Sequence, residues 1–503
     1  MTMNEESAVS AAAPLTPAAG RNARTTLKRE LGVIPLVAVI FFSVSGGPFG
    51  LEDAIGSSGP GMALLMLLVV PIVFGIPCSM MAAELGTAIP VEGGYYYWIK
   101  LALGKPSAFV FGTWAWMNTF LDTALYPIVA ADYISQWVPG TGRGDHVLFS
   151  FFDSALSIDT HWAVAIAVMV PLAWLNARGS RWVGDTSTLL MLIVLAPFVI
   201  LSVIGVWHAL TTPDLTLVSS FTLPGQESGT AFGAALGVVI WNYIGWEDPS
   251  TVLGEVKNPQ RTYSRALLVS VPLITLSYIL PMIAALASGL HSGHPQDWTD
   301  GDFANAGRLL SGHWLALFVT IGALLGNIGL FSSLLMSGSR VPRVLAGDGY
   351  LPRSLAEDSP KYGTPVRAIV ISCLVFAVFC SMNFTALLDA DVLTDLACIL
   401  MDFAALIVLR KRYPNMVRPY KIKGGWPALA LLTAGPVVFT GWLAQSTYVE
   451  EPDALWIGVI ILLLGVLAYY PAKKYIKRGR ADQPVDTSMI DLGDGVEAAP
   501  LFV

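Results

Sequence analysis

The chain has 503 residues, of which 54% are hydrophobic and only 13% charged, about half the charged fraction of an ordinary soluble domain. That deficit excludes a string of soluble domains and puts the chain in the membrane class. A formal net charge of −7 argues against a nucleic-acid-binding surface.

In chain order, residues 1–29 come first, an Ala/Ser/Thr/Pro-rich tail without an apolar core. It reads as disordered, not as a signal peptide. Residues 30–475 form the expected transmembrane domain, and 476–503 a polar, acidic tail that reads as unstructured. A helix needs about 20 mostly apolar residues to cross about 30 Å of hydrocarbon. Such runs fall at 33–56, 62–86, 107–138, 161–177, 186–210, 229–254, 264–289, 312–338, 366–382, 388–410, 427–446 and 455–472. The expected fold is therefore all-α, with about twelve spans. Placing both termini in the cytoplasm puts 27 of the 29 Lys and Arg residues on the inner side, leaving only Arg143 and Arg308 outside. The outer segments are acidic, and Asp389, Asp391 and Asp395 are read as part of that solvated outer surface.

Two spans are interrupted. The first contains Ser45-Gly46-Gly47-Pro48-Phe49-Gly50, then Glu52 and Asp53; the sixth contains Trp241-Asn242-Tyr243-Ile244-Gly245-Trp246, then Glu247, Asp248 and Pro249. Glycines and a proline do not sit comfortably inside a helix, and backbone groups freed in lipid must be buried in protein or line a cavity. Both breaks read Gly-x-Glu-Asp, and a five-plus-five inverted repeat would make spans 1 and 6 equivalent. Paired broken helices of this kind point to a transporter's central site.

The four acids have two readings. They cap the second half-helices, or they bind substrate or proton. Carboxylates at half-helix N-termini would repel a substrate anion and attract an amine, which favours a small cationic substrate. Asp122 in span 3 and Asp402 in span 10 have no Lys or Arg in the span cores to pair with. Each is either hydrogen-bonded to a neighbouring helix or a proton carrier; Glu247 is a third proton-coupling candidate. Glu84 and Glu255, near the inner ends, are gate candidates, and Asn327 in span 8 is a ligand or a helix–helix contact. The aromatics crowding the breaks, among them Phe41, Phe42, Phe49, Trp241, Tyr243 and Trp246, suit a long alkylammonium through cation–π contact, if they do not simply pack.

Cys78, Cys373, Cys380 and Cys398 all lie in apolar stretches without metal-ligand spacing, so neither disulfide nor metal site is expected. His291 and His294 share an outer loop and are read as solvated. Walker A, GxSxG, HExxH and GxGxxG motifs are absent, so no enzyme activity, cofactor or ATP drive is expected. Uphill transport would then draw on an ion gradient, and the lone acids favour protons.

SGGPFGLED in span 1, AELGTAIPVEGGYYYW at 83–98, DTALYPIVAADY at 122–133 and WNYIGWEDPSTVLGEVKNPQRT at 241–262 resemble the amino acid–polyamine–organocation superfamily. The resemblance covers about residues 30–475, and SGGPFG before two acids with Asp-x-Ala-Leu-Tyr-Pro points to its polyamine:proton symporter group. It implies twelve helices in the five-plus-five fold, a central site between spans 1, 3, 6, 8 and 10, and alternating access. By matching residue it implies Glu52, Asp53, Asp122 and Glu247 as amine contacts; Gly46, Gly47, Phe49, Tyr126, Trp241, Tyr243, Trp246 and Asp248, at and beside the breaks, are read as lining the site around them. The group's pattern has one acid at the span 6 break, so Asp248 and Pro249 depart from it. The expected protein is a proton-coupled importer of putrescine- or spermidine-like cations in the cell membrane, with no obligate protein partner. The alternative is an amino-acid permease or amine/amino-acid antiporter of the same fold.

Overall fold

The structure, a computed structural model, describes residues 31–135, 137–151, 156–178, 181–212, 217–355, 357, 359, 364–382, 384–450, 452–476, 487–493 and 496–498. The N-terminal tail lies outside them. α1 (Val33–Val44) and α2 (Glu52–Ser58) are the two halves of the first predicted span. α3 (Pro60–Val70), a π turn (Pro71–Gly75) and α4 (Ile76–Ala88) make one continuous 29-residue helix. Pro71 has no N–H to donate and crowds the turn before it, which opens the helix at that point. α5 (Gly94–Leu103) and the 31-residue α6 (Lys105–Ser135) follow. Next come the β1–β2 hairpin (Phe149–Phe151, Leu156–Ile158), α7 (Thr160–Arg178) and α8 (Arg181–Thr211).

α9 (Ser228–Trp241) breaks before a 3-10 segment, Asp248–Glu255, and α10 (Pro259–Ala287). The remainder is α11 (Asp302–Ser311), α12 (His313–Gly338), α13 (Arg340–Gly347), α14 (Val366–Phe379), α15 (Phe384–Arg412), α16 (Gly425–Glu450) and α17 (Pro452–Ile476). Among the described residues, eight helices are long and apolar enough to cross a membrane, and α1, α9 and α14 are shorter apolar helices. In α6, Asn118, Thr119 and Asp122 dilute an otherwise apolar run.

Depth in the bundle follows burial. The apolar stretches of α3–α4, α12 and α15 are each 61% buried, whereas those of α16 and α17 are 22% buried. Leu431, Val438, Leu463 and Leu467 on the last two helices face outward, as lipid-facing side chains do.

Cationic side chains gather at one end of the bundle, here the basic face. Glu84, at the end of α4, is clamped between two arginines there. Arg410 Nε donates to Glu84 Oε1 at 2.8 Å, Arg410 Nη2 donates to Oε2, and Arg418 Nε lies 3.3 Å from Oε1. The Ile422 N–H adds a bond to Oε2 at 2.8 Å. Lys100 of α5, almost wholly buried, pairs with Asp348 at 2.8 Å, and the Tyr96 hydroxyl donates to the same carboxylate at 2.6 Å.

Two predicted features change. Part of the C-terminal tail is docked on the basic face: the Val417 N–H donates to the Asp491 carbonyl at 3.0 Å and Gln260 Nε2 to the Met489 carbonyl at 3.3 Å. Ile490 and Leu492 are buried there, so two apolar residues anchor an otherwise polar segment. The span 10 helix runs from Phe384, and Asp391 (1% exposed) and Asp395 (9%), read as outer surface, lie inside the bundle. Three acids in its first turns make the start of an interior helix read as solvated.

At the opposite, acidic face, other carboxylates are local fasteners. Asp159 accepts from the Trp162 and Gly144 N–H groups at 2.8 and 2.9 Å. Asp132 and Asp302 pair with His161 and His291 at 2.8 and 3.1 Å, so His291 is held by a carboxylate and is not simply solvated.

Candidate functional site: a carboxylate cavity between two helix breaks

The first break is built from glycine. Gly46, Gly47 and Gly50 have φ of +58°, +122° and +77°, a region that L side chains rarely adopt. They turn the chain between α1 and α2 while the Gly47 N–H donates to Ser45 Oγ at 3.2 Å. A Cβ placed on Gly326 of α12 would run into the Gly46 carbonyl and the Phe49 ring, so α12 lies directly on the break. Gly326→Val is therefore expected to destabilise the protein by about 1–3 kcal/mol through overpacking, read as a lowered unfolding midpoint in detergent.

At the second break, two α10 hydroxyls take over the carbonyls that the helix leaves free. Tyr278 donates to Asn242 O at 2.7 Å and Tyr263 to Trp246 O at 3.3 Å. This is the re-satisfaction that buried, non-helical backbone requires in a membrane. Gly245 has φ of +93°, and a Cβ there would meet the Ser43 carbonyl, so the two breaks abut.

Beside them lies a cavity. Its walls include Ser43 and Val44 of α1, Asn118, Asp122 and Tyr126 of α6, Glu247 and Asp248 after the second break, and Asp395 and Cys398 of α15. Among the described residues, four carboxyl groups thus line it, and no Lys, Arg or His does. Glu247 is 5% exposed and its Oε2 has no hydrogen-bond partner in the protein. The residues that precede α2 and the 3-10 segment, Leu51 and Glu247, make no side-chain cap bond to the first turn. Asp122 accepts a bond from the Tyr126 hydroxyl at 2.8 Å, a contact within its own helix. Trp241 stacks on the Tyr126 ring at 6.0 Å and 21°, covering the cavity towards the acidic face. Towards the basic face, Ser250 Oγ accepts from the Tyr95 N–H at 3.1 Å and Thr251 O from the Gly93 N–H at 3.2 Å, closing the floor.

Of the residues singled out in the sequence, Asp122, Tyr126, Trp241, Glu247 and Asp248 meet here. Glu52 and Asp53 do not line this cavity. The glycine turn starts α2 beyond it, which carries Glu52 towards the acidic face. There its Oε1 accepts from the Tyr133 hydroxyl at 2.8 Å and from the Gly301 and Phe303 N–H groups at 3.3 and 3.4 Å. Asp53 lines a separate recess, with Gln226, Trp298 and Asp389. Gly46 and Gly47 act through the backbone. Phe49 packs edge-on against Tyr133 and Phe198, Tyr243 donates to Thr275 Oγ1 at 3.2 Å, and Trp246 is fully buried. Asn327 Nδ2 bonds Ala323 O within its own helix at 3.0 Å. Phe41 and Phe42 pack edge to face, 5.2 Å apart.

Asp402 lies about two turns beyond Asp395 along α15, towards the basic face. It is wholly buried and neither oxygen has a hydrogen-bond partner in the protein. Glu255 closes the 3-10 segment; its side chain lies outside the described residues. Sequence reasoning missed Asn118, Asp391 and Asp395. The signal was present: residues 391, 395 and 402 are four and seven apart, one face of a helix.

Comparison with known proteins agrees with this architecture. Residues 31–467 match the family model described as amino acid permease. A polyamine transporter of Oryza sativa subsp. japonica is 32% identical over 458 residues, 90% of this chain and 80% of that one. A polyamine transporter of Arabidopsis thaliana is 30% identical over 451 residues, 90% of this chain and 87% of that one. The large neutral amino acids transporter small subunit 2 of Rattus norvegicus is 25% identical over 483 residues, 91% and 83% of the two chains. With helices that cross a membrane, two breaks around a central cavity and a family match along most of its length, the chain belongs to the amino acid permease family of multi-pass membrane transporters.

Proposed function

We propose that the protein is a proton-coupled importer of polyamines, organic cations of the putrescine and spermidine kind, working by alternating access. The observation that carries this reading is a buried cavity with four carboxyl groups and no basic side chain along its walls. Such a site offers a substrate carboxylate no partner and an ammonium several. The relatives named as polyamine transporters support the same substrate class. Breaks in the first and sixth predicted spans support a five-plus-five repeat of twelve spans, with α1 and α9 as its short broken members. The distribution of Lys and Arg supports cytoplasmic termini in a cell membrane, 1–29 and 476–503 serving as tails and 30–475 as the transporter. Transport itself needs no enzymatic step, and the small cation and protons are the partners. Glu84, locked in its double-arginine clamp, and Glu255 belong to the inner gate.

A second reading, an amino-acid permease or amine/amino-acid antiporter, draws on the large neutral amino acids transporter relative. It requires a cationic or bare N–H anchor for the substrate carboxylate.

The two are separated by uptake of labelled putrescine, spermidine, arginine and a neutral amino acid into proteoliposomes, with and without an inward proton gradient. Gradient-driven polyamine uptake, indifferent to excess neutral amino acid, is expected. Uptake of amino acids without polyamines sinks the proposal in favour of the second reading. Coupling is assigned to Asp402, whose carboxyl no protein group satisfies. Asp402→Asn is expected to retain substrate exchange between the two sides while accumulation against a gradient falls to equilibration. Accumulation equal to wild type removes Asp402 from the coupling step.

A further inference from the structure

α15 contributes more to the cavity than the proposed amine and proton sites use. Asp391 and Asp395 are one turn apart on the face that also bears Asp402. Asp395 lines the cavity and is 9% exposed. Its Oδ1 accepts from Asn118 Nδ2 at 3.2 Å, but its Oδ2 is buried with no partner in the protein. Asp391, 1% exposed, likewise leaves Oδ1 unpartnered, and so does the Asn118 side-chain oxygen. A fastening between α6 and α15 would use these acceptors up. Here three acceptors on two helices are left without a donor, and buried acceptors without a donor are costly. Glu247 and Asp248 line the same cavity from a different element and make no hydrogen bond to these acceptors. A second N–H-rich cationic group on the same molecule meets them.

We propose that Asp395, backed by Asp391 and Asn118, is a second ammonium subsite, and that it makes the transporter select substrates with at least two amino groups. The first ammonium sits at Glu247 and Asp248, and the chain between the two groups spans the cavity. Selection then follows from the physics of buried polar groups. A monoamine of equal length leaves the α15 carboxylates unpaired, and an amino acid brings its own carboxylate against them. The inference rests on the organic-cation reading of the cavity and adds the number of charges that the cavity requires.

The test compares binding of putrescine with that of n-butylamine, of the same carbon length, to purified full-length protein, for wild type and Asp395→Asn. Wild type is expected to bind the diamine more tightly. The variant is expected to lose about tenfold to a hundredfold in diamine affinity, the worth of a hydrogen bond to a charged group, with monoamine affinity unchanged. An equal loss for both amines overturns the proposal and makes Asp395 a structural residue. Should Asp395→Asn not fold, Asp395→Glu carries the test. It moves the charge one methylene further into the cavity, so preference must shift to a shorter diamine, and an unchanged chain-length preference overturns the subsite. Wild type that binds neither amine but does bind a neutral amino acid is a different failure: it removes the organic-cation reading itself.

Discussion

Arg410→Met is expected to destabilise the folded protein by about 3–5 kcal/mol, measured as a shift in the denaturant midpoint in detergent. That is the usual cost of removing one partner from a buried ion pair. The side chains of Arg410 and Glu84 are 7% and 1% exposed, so water cannot replace the lost contact. Arg418 remains, but at 3.3 Å it makes a single approach to Oε1, whereas Arg410 grips both oxygens of Glu84 and bonds the Ile422 carbonyl at 3.2 Å. Arg410→Lys should recover part of the loss, because an ammonium keeps the charge without the planar fork. The damage should also reach the basic face, since Glu84 ties α4 to the α15–α16 connection. A variant as stable as wild type would mean that the network is replaceable.

The largest functional effect is expected from Glu247→Gln. Losing a charged acceptor for an ammonium costs about 1.5–3 kcal/mol, roughly a tenfold to hundredfold fall in polyamine uptake efficiency. Folding stability should stay level or rise. Glu247 Oε2 has no protein partner to lose, and the amide removes one like charge from a wall that Asp248 and Asp395 share. Initial rates in proteoliposomes, set beside thermal unfolding of the same preparation, separate the two. Falling uptake with unchanged stability identifies a substrate contact. A parallel fall in both returns Glu247 to a structural role at the start of the 3-10 segment.

Much of this site is legible in the sequence. The breaks are, because Gly46, Gly47, Gly50 and Gly245 put backbone chemistry where a helix should continue. Asp122, Glu247 and Asp248 are, because an acid in an apolar run has few bland explanations. Glu52 shows where such reading stops. Its neighbours are the Tyr133 hydroxyl and a backbone loop near residue 301, and nothing near residue 52 in the chain announces either. The clamp on Glu84 joins residues more than 300 positions apart, and a hydropathy window reports composition, not pairing. Asp391 and Asp395 were hidden by the method itself. Acids in the first turns of α15 make the start of a buried helix read as a solvated outer surface. The docked tail was hidden because Ile490 and Leu492 are too few to register in an acidic segment.

The cavity's lack of a basic residue reaches beyond substrate choice to electricity. A carrier whose site supplies its own counter-charge can cross the membrane empty without moving net charge. Were its carboxyl groups ionised, this one would cross empty as an anion unless protons rode along. A membrane potential would then act on the unloaded protein as well as on its cargo, at about 2.3 kcal/mol per elementary charge per 100 mV. In that case an inside-negative potential pulls the bound cation inward and pushes the vacated site back outward. Both halves of the cycle are then driven in the same direction by a single battery.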